Sequence, residues 1–382
     1  MRGENSVLFI GHFSRSGAHR NPFASAAGDV VQNQIIKEAS HLLPKEQLRF
    51  LSMEPQRIWP AGSLYIRGSG SDNGRFVSYI NLPIIKNICY AAAILLECFR
   101  LRPALVMQYN SYLFENAAIL VAAMFLRIRS CLILQDIRIG HQFSLAARIY
   151  DKFANMLVGF FDFVMPISRR MAEELQLKDG QFHIFKGGIT GQGYELLQCN
   201  EPLGDYAVFA GALESHNGID RIVQLWVDRK VEVDLHVFGR GRLADMVSHY
   251  SRLNPHIKYH GFIPHEDVSK WQRSAKFNFC LRYSEGLEEE YFFPSKFFNA
   301  CCCPGLLIVN NFMNIPSFML GKRGLVNDLD GVEQLLRLSN DEVMAESLLR
   351  RQAVLEEGSW SSALGVVVKR FFDLSSNSLD TK

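Results

Sequence analysis

The chain has 382 residues, too many for one ordinary core and enough for two domains. Hydrophobic residues make up 48% and charged residues 21%, the balance of a globular protein rather than a disordered one. A formal net charge of +2 is not the footprint of a nucleic-acid binder, although it permits weak attraction to an anionic membrane.

Short apolar runs alternate with longer periodic ones through the first half. Ser6 to Ile10 predicts a buried strand bounded by Gly11. A loop containing Gly17 leads past Gly28 into a helix from about Asp29 to Leu43, and Leu48 to Ser52 is the next strand. Pro83 to Arg102 has helical length and stops before Pro103. Leu105 to Gln108 predicts a strand, Glu115 to Leu126 a helix, and Cys131 to Gln135 a strand ending at Asp136. Phe143 to Phe160 predicts a helix and Phe163 to Ile167 a strand. This rhythm is that of βαβ units on a parallel sheet.

A second cycle follows Lys186-Gly187-Gly188 and a polar stretch reaching Asp205. Strands are expected at Ala207 to Ala210, Asp234 to Phe238, Ile257 to His260, Phe277 to Leu281 and Leu306 to Asn310. The first three end at Gly211, at Gly239-Arg240-Gly241 and at Gly261. Helices are expected at Ile219 to Val227, Glu266 to Ser274, Ser295 to Cys303 and about Ala363 to Leu374. The organisation read from this is an N-terminal Rossmann-like domain over 1–190, a second over 200–358, and a C-terminal helix over 359–376 that returns to the first. In open parallel sheets ligands bind beyond the carboxyl ends of the strands, where most of the residues discussed below stand.

Eight cysteines do not read as a disulfide framework: Cys301, Cys302 and Cys303 are consecutive in an apolar run and the rest are scattered. They read as buried, reduced thiols. Three consecutive residues cannot converge on one ion, and no C-x-x-C pair exists, so no metal is expected. The N-terminus MRGENSVLFIGHF lacks the pattern of a signal peptide, and no run reaches the ~20 apolar residues of a spanning helix. A cytoplasmic chain is expected, soluble or peripheral on the inner membrane. Lys86 to Arg102, apolar with basic ends, has the character of a helix resting on a membrane or packing on its own domain.

The most informative stretch is LRYSEGLEEEYFFPSKFFNACCCPGLLIVNN. It places a strand, an acidic loop, Pro294-Ser295-Lys296 opening a helix, and another strand. Ser295 is a good N-cap residue, and a helix start suits an anion. Lys296 adds a mobile charge there, and Arg282 a planar fork for two phosphate oxygens. Together they describe a diphosphate site, against the plainer reading of a capped helix with two solvated cations.

This segment resembles the donor-site region of bacterial family 4 glycosyltransferases of capsule, exopolysaccharide and O-antigen clusters. There an Arg ends a strand, an acidic loop follows, and a phrase of the form F-P-S-K comes next. Arg282, Glu288 to Glu290, Phe293, Pro294, Ser295 and Lys296 stand in matching places. Val208-Phe209-Ala210-Gly211, Asn217-Gly218-Ile219-Asp220, His236 to Gly241, Tyr259 to Ile263, Ile80 to Lys86 and Gly187-Gly188 resemble further family phrases in the family's order. The resemblance implies an α/β, GT-B fold of two doubly wound domains facing across a cleft. It implies a retaining transfer of sugar from a nucleotide-diphosphate donor to a glycan, lipid-linked in the family's setting. Arg282 and Lys296 would stabilise the leaving diphosphate, with no metal and no cofactor. Gly11, Gly17, Gly211, Gly239, Gly261, Phe262, Glu290, Ser295 and Asn299 would contact the donor or acceptor, and Asp136 would orient or deprotonate the acceptor hydroxyl.

The sequence also departs from the family. Asn299 stands where the family usually has a ribose-binding Glu, and Ala212 and Asn217 stand where it has an Arg and a Lys. Lys296 can take over that cationic role. The same departures suit a different reading, a catalytically degenerate binding or scaffold subunit of a polysaccharide assembly complex. A sugar-nucleotide epimerase of the same architecture is a third. His12 beside Gly11 reads as a ligand contact or, more simply, as a loop histidine with a protein partner.

Overall fold

The computed structural model describes residues 3–15, 21, 23–43, 47–71, 73–137, 144–283, 288–294 and 296–372. The chain divides into one unit formed by Met1–Lys186 with Trp360–Lys382, and a second formed by Gly187–Ser359.

The first unit begins with β1 (Gly3–Gly11), α1 (Ala26–Leu42) and β2 (Leu48–Ser52). Four short strands follow: β3 (Tyr65–Ile66), β4 (Ser69–Ser71), β5 (Gly74–Phe76) and β6 (Tyr79–Ile80). Then come α2 (Ile85–Leu101), β7 (Pro103–Tyr109), α3 (Leu113–Leu126), β8 (Arg129–Leu134), α4 (Leu145–Val158), β9 (Phe163–Pro166) and α5 (Arg169–Glu174). The sheet runs β4-β5-β2-β1-β7-β8-β9 and is parallel except for the β4–β5 edge. Strand residues alternate between its faces. Phe9, Met107, Ile133 and Phe163 pack with Ile35 and Ala39 of α1, while Leu8, Ile10, Val106 and Leu132 are buried as well. Both faces are therefore covered, as expected for parallel strands that read as continuous apolar runs.

The second unit contains α6 (Gly191–Leu197), β10 (Gly204–Ala210), α7 (Ile219–Asp228), β11 (Asp234–Phe238), α8 (Ala244–Leu253), β12 (Ile257–Tyr259), α9 (His265–Ser274) and β13 (Ala275–Phe279). It continues with α10 (Glu288–Tyr291), α11 (Phe297–Cys301), β14 (Leu306–Asn310), β15 (Leu325–Val326), α12 (Val332–Leu335) and α13 (Asn340–Glu357). Its sheet, β12-β11-β10-β13-β14-β15, is parallel throughout. α7 shows why these helices form: Ile219, Ile222, Val223 and Trp226 fall on one stripe and bury it against Phe209, Val237 and Phe279. Each such side chain contributes about 1.5–3 kcal/mol of burial. Trp226 also donates its indole N–H to Val233 O at 2.7 Å.

The last helix, α14 (Trp360–Phe372), belongs to the first unit. Trp360, Leu364 and Val367 join the cluster around Phe9 and Ile35, and the Phe185 and Trp360 rings meet edge to face at 5.3 Å. The two longest helices without a predicted counterpart are α13 and α8. α13 buries Arg350, Arg351 and Ser347 beside Val343 and Val354, so its inner side does not look apolar. Arg350 donates to Cys301 O at 3.0 Å and Gly305 O at 2.9 Å, and also to Cys303 O. Arg351 donates to Leu196 O and Cys199 O, both at 3.2 Å, closing the end of α6. α8 was also not anticipated, its only fully buried side chain being Val247.

Candidate functional site at the carboxyl edge of the second sheet

Three neighbouring strands of the second unit end on glycines, and the backbone ties those ends together. Gly211 N donates to Phe238 O at 3.0 Å, and Gly239 N to Gly261 O at 2.8 Å. A Cβ on Gly239 would run into Gly211 O, so only a glycine fits there. Gly261 has φ 70°, a left-handed conformation that favours glycine. The three predicted glycines thus line one edge of the sheet. Beyond it lies an exposed Phe262, with the Arg240 guanidinium 4.8 Å from its ring centroid.

Lys296 reaches this edge from the other side. Its Nζ donates to Ala210 O at 2.9 Å and lies 4.7 Å from the Phe209 ring centroid. It occupies the space that a Cβ on Gly211 would take. The residue keeps partial exposure while its ammonium is enclosed. Burial pushes the Lys296 pKa down; the Cys280 thiol opposes this, and the charge of Arg282 adds to the lowering. Arg282 is thus close enough to be felt. Its position is fixed by Asn310 at the end of β14: Arg282 N donates to Asn310 Oδ1 at 2.7 Å, and Asn310 Nδ2 returns a bond to Arg282 O at 2.6 Å. The Arg282 guanidinium lies 5.5 Å from the Phe292 ring centroid. Two cations therefore stand near the ends of β10 and β13, an arrangement that suits a polyanion.

The helix start differs from expectation. Ser295 lies outside the described residues, and α11 begins only at Phe297, with Lys296 at its N-cap and no side-chain cap bond. α11 is five residues long, so the expected helix-dipole contribution has little backbone to supply it. The attraction for an anion rests instead on the two side chains. Glu290 sits in the one-turn α10, where its carbonyl accepts from Asn314 Nδ2 at 3.2 Å.

Asn299 is engaged within its own unit. Its Oδ1 accepts from Thr190 N at 3.0 Å, and its Nδ2 donates to Thr190 Oγ1 at 2.8 Å. A Cβ on Gly193 would strike the same oxygen. Asn217 likewise has a local task, donating to Ala212 O at 2.9 Å and so closing the loop after β10.

In the first unit, Gly17 lies outside the described residues. Gly11 is buried, and its carbonyl accepts from Met53 N at 3.2 Å, with Tyr90 Oη at 2.8 Å. The backbone N–H groups expected to meet a ligand are already used. Those of His12, Phe13, Ser14 and Arg15 donate to Gln32 Oε1, Ser52 Oγ, Asp29 Oδ1 and Glu54 Oε1. With two carboxylates among these acceptors, this part of the loop is not an anion cradle. Asp136, just beyond β8, is exposed and is held by Asn110, whose Nδ2 donates to Asp136 Oδ2 at 3.1 Å. Asn110 Oδ1 accepts from Asp136 N at 3.2 Å.

Sequence reasoning passed over Glu115. It is buried at the start of α3, with Oε1 3.6 Å from His12 Nε2. The His12 ring meets those of Tyr112 and Tyr90 at 4.5 and 5.1 Å. An acid inside LFENAAILVAAMFL, an otherwise apolar helix, was the available signal. His12 thus has a protein partner. Cys301, Cys302 and Cys303 are buried, and burial pushes their thiols up. A hollow of about 630 Å³ lined by Glu195, Glu201 and Arg273 lies toward the opposite edge of the second sheet, where β10 and β13 begin.

No protein-family model matches the chain, and no curated protein matches it. Solved structures do. The apo form of the lipopolysaccharide outer core galactosyltransferase WaaB is similar with a TM-score of 0.62 and 13% identity, over 96% of this chain and 99% of that one. Anabaena Alr3699/HepE in complex with UDP gives 0.63 and 10%, over 97% and 100%. WaaG, a glycosyltransferase involved in lipopolysaccharide biosynthesis, gives 0.60 and 10%, over 96% and 99%. Their likeness is one of architecture, and with two parallel-sheet, Rossmann-like units the chain has the α/β GT-B fold.

Proposed function

We propose that the chain is a glycosyltransferase that takes a sugar from a nucleotide-diphosphate donor, with retention at the anomeric carbon and without a metal. The acceptor in this reading is a lipid-linked glycan of bacterial surface polysaccharide synthesis, such as capsule, exopolysaccharide or O-antigen. The observation that carries it is Lys296 held against Ala210 O beside Gly211, with Arg282 near enough to lower its pKa. Structures of similar fold bind UDP and UDP-glucose, which supports a uridine donor.

In this mechanism the glycosidic C–O bond breaks and its electron pair stays on the diphosphate oxygen. Lys296 and Arg282 stabilise the charge that grows there, which lowers the barrier. Two fixed cations do the work that a metal ion does elsewhere. Gly211 and Gly239 make room for Lys296 and for the neighbouring strand end, Gly261 leaves open space for the donor to lie against backbone, and Phe262 offers a face to the base. Asp136 orients or deprotonates the acceptor hydroxyl, in keeping with its exposed carboxylate.

A second reading, a binding subunit without turnover, is favoured by Asn299, whose amide is committed to Thr190 where the family that the sequence resembles usually has a ribose-binding Glu. One experiment separates the two. Purified chain is screened against nucleotide sugars by thermal shift, then incubated with the stabilising donor and a lipid-linked acceptor extract. Nucleoside diphosphate released together with a glycosylated lipid supports the transferase. Stabilisation without release supports the binding subunit, and an altered donor sugar without acceptor indicates an epimerase.

A further inference from the structure

α2, α3 and α4 form one layer of the first unit, with α3 packed against both of the others. In α4 the usual arrangement is reversed. Its buried positions are the small Ala154 and Val158, while Leu145, Ile149, Phe153, Met156 and, just past its end, Phe160 face solvent. Spacings of four, four, three and four put them on one stripe. The neighbours extend it: Leu96 and Phe99 on α2, Met124 and Phe125 on α3. Leu145, Phe160, Met124, Phe125 and Leu96 are 65–70% exposed, so among the described residues these side chains are largely uncovered. Isolated exposed apolar residues need no explanation, but a stripe continued over three adjoining helices does.

The charges of this layer are sorted too. The acidic side chains of the three helices are withdrawn: Glu97 and Glu115 are buried and Asp151 is half-buried. Glu97 is further neutralised by Arg75 and Arg100. Of the basic ones Lys86 is half-buried, while Arg100, Arg148 and Lys152 are exposed, as are Arg102 and Arg127 just past the ends of α2 and α3. Arg102 and Arg127 close α2 and α3 in the left-handed conformation, φ 46° and 53°, where glycine is the usual residue. An arginine there costs backbone energy, partly offset by its interaction with the helix end, and it sets a cation at the rim of the apolar face.

We infer that this face docks on an anionic lipid surface, with the α4 stripe entering the acyl boundary and Arg102, Arg127 and Lys152 meeting headgroup phosphates. No described helix is long and apolar enough to cross a bilayer, so the contact lies in the interface plane. The inference stands apart from the sugar-nucleotide reading, because its residues lie on helices that carry none of the donor-binding groups.

Co-sedimentation of the full chain with vesicles tests it, using phosphatidylcholine with and without phosphatidylglycerol. Three proteins are compared: the native chain, Ile149→Ser with Phe153→Ser, and Arg127→Glu with Lys152→Glu. All substituted positions are exposed, and thermal melts check that each variant folds. The native chain is expected on the anionic vesicles and largely free of the neutral ones. Each double variant should bind at least roughly ten-fold more weakly. Native chain left in the supernatant at low salt overturns the inference, as does equal binding by the serine variant. A concentration-dependent dimer that the serine variant dissociates would also overturn it, by assigning the face to a second copy. UDP binding by the same samples is read separately, so loss of one property is distinguishable from loss of the other.

Discussion

Lys296 and Gly211 meet across the carboxyl end of β10, the lysine Nζ filling the volume where any other residue at 211 would carry its Cβ. The smallest substitution at Gly211 therefore displaces the ammonium. Gly211→Ala is expected to weaken nucleoside diphosphate binding about 10–100-fold, the range of a lost charged hydrogen bond, by titration calorimetry. Lys296→Met should lose a similar amount, and the double variant little more than either. Fully additive losses would mean that the two residues act separately.

Burial and the nearby Arg282 make the Lys296 ammonium surrender its proton below the ordinary lysine value of 10.5. In the proposed site the cation holds the diphosphate, so affinity should decline as pH rises toward that value, earlier than an exposed lysine would allow. Lys296→Arg keeps its charge throughout and should flatten this alkaline limb. Stability moves in the opposite sense. Between the lowered folded value and 10.5 the unfolded chain holds a proton that the folded chain gives up, so stability rises with pH through that window. Binding and melting curves recorded over alkaline pH check both signs.

His236 and His260 stack at 5.1 Å, with His236 Nδ1 2.9 Å from His260 Nε2, against Trp271 and Phe238. Burial, then the neighbouring His260, pushes the His236 pKa down to about 4, and burial also lowers that of His260. The unfolded chain takes up these protons near pH 6.5 and the folded chain resists them. Stability contributed here is complete above pH 6.5 and is lost progressively as pH falls toward 4. Thermal melts at pH 7 and pH 5 should show a lower Tm at pH 5, with a smaller drop in His236→Phe. An identical drop in that variant would place the acid sensitivity elsewhere.

Arg350 satisfies backbone carbonyls around the Cys301–Cys303 run from inside the core. Arg350→Met leaves them unpaired at about 1–3 kcal/mol each, so a loss of about 3 kcal/mol or more is expected in urea unfolding of the second unit. A change under about 1 kcal/mol would mean that water or relaxation replaces the arginine.

Much of the fold was readable because buried parallel strands are short apolar runs ending at glycine or aspartate. Phe209, Phe238 and Tyr259 close such runs, and each stands within two residues of a glycine that lines the edge. α13 escaped because its buried side holds two arginines and a serine, chosen to satisfy carbonyls of other segments, and local periodicity does not register such a task. The place of Lys296 was legible as chemistry but not as geometry. The sequence suggests a helix opening at Ser295, whereas the helix starts at Phe297 and the lysine extends back to β10, 86 residues away in sequence. Asn299 and Thr190, and His12 and Glu115, are pairings over long separations that one-dimensional spacing does not reveal.

The most direct test is titration calorimetry of the full chain with UDP, ADP and GDP, alongside Lys296→Ala and Arg282→Ala. Saturable binding of at least one diphosphate is expected, weakened at least about ten-fold in each variant, while the melting temperature without ligand changes little. No binding of any of the three, or binding unchanged in both variants, would contradict the assignment of Lys296 and Arg282 as the diphosphate site.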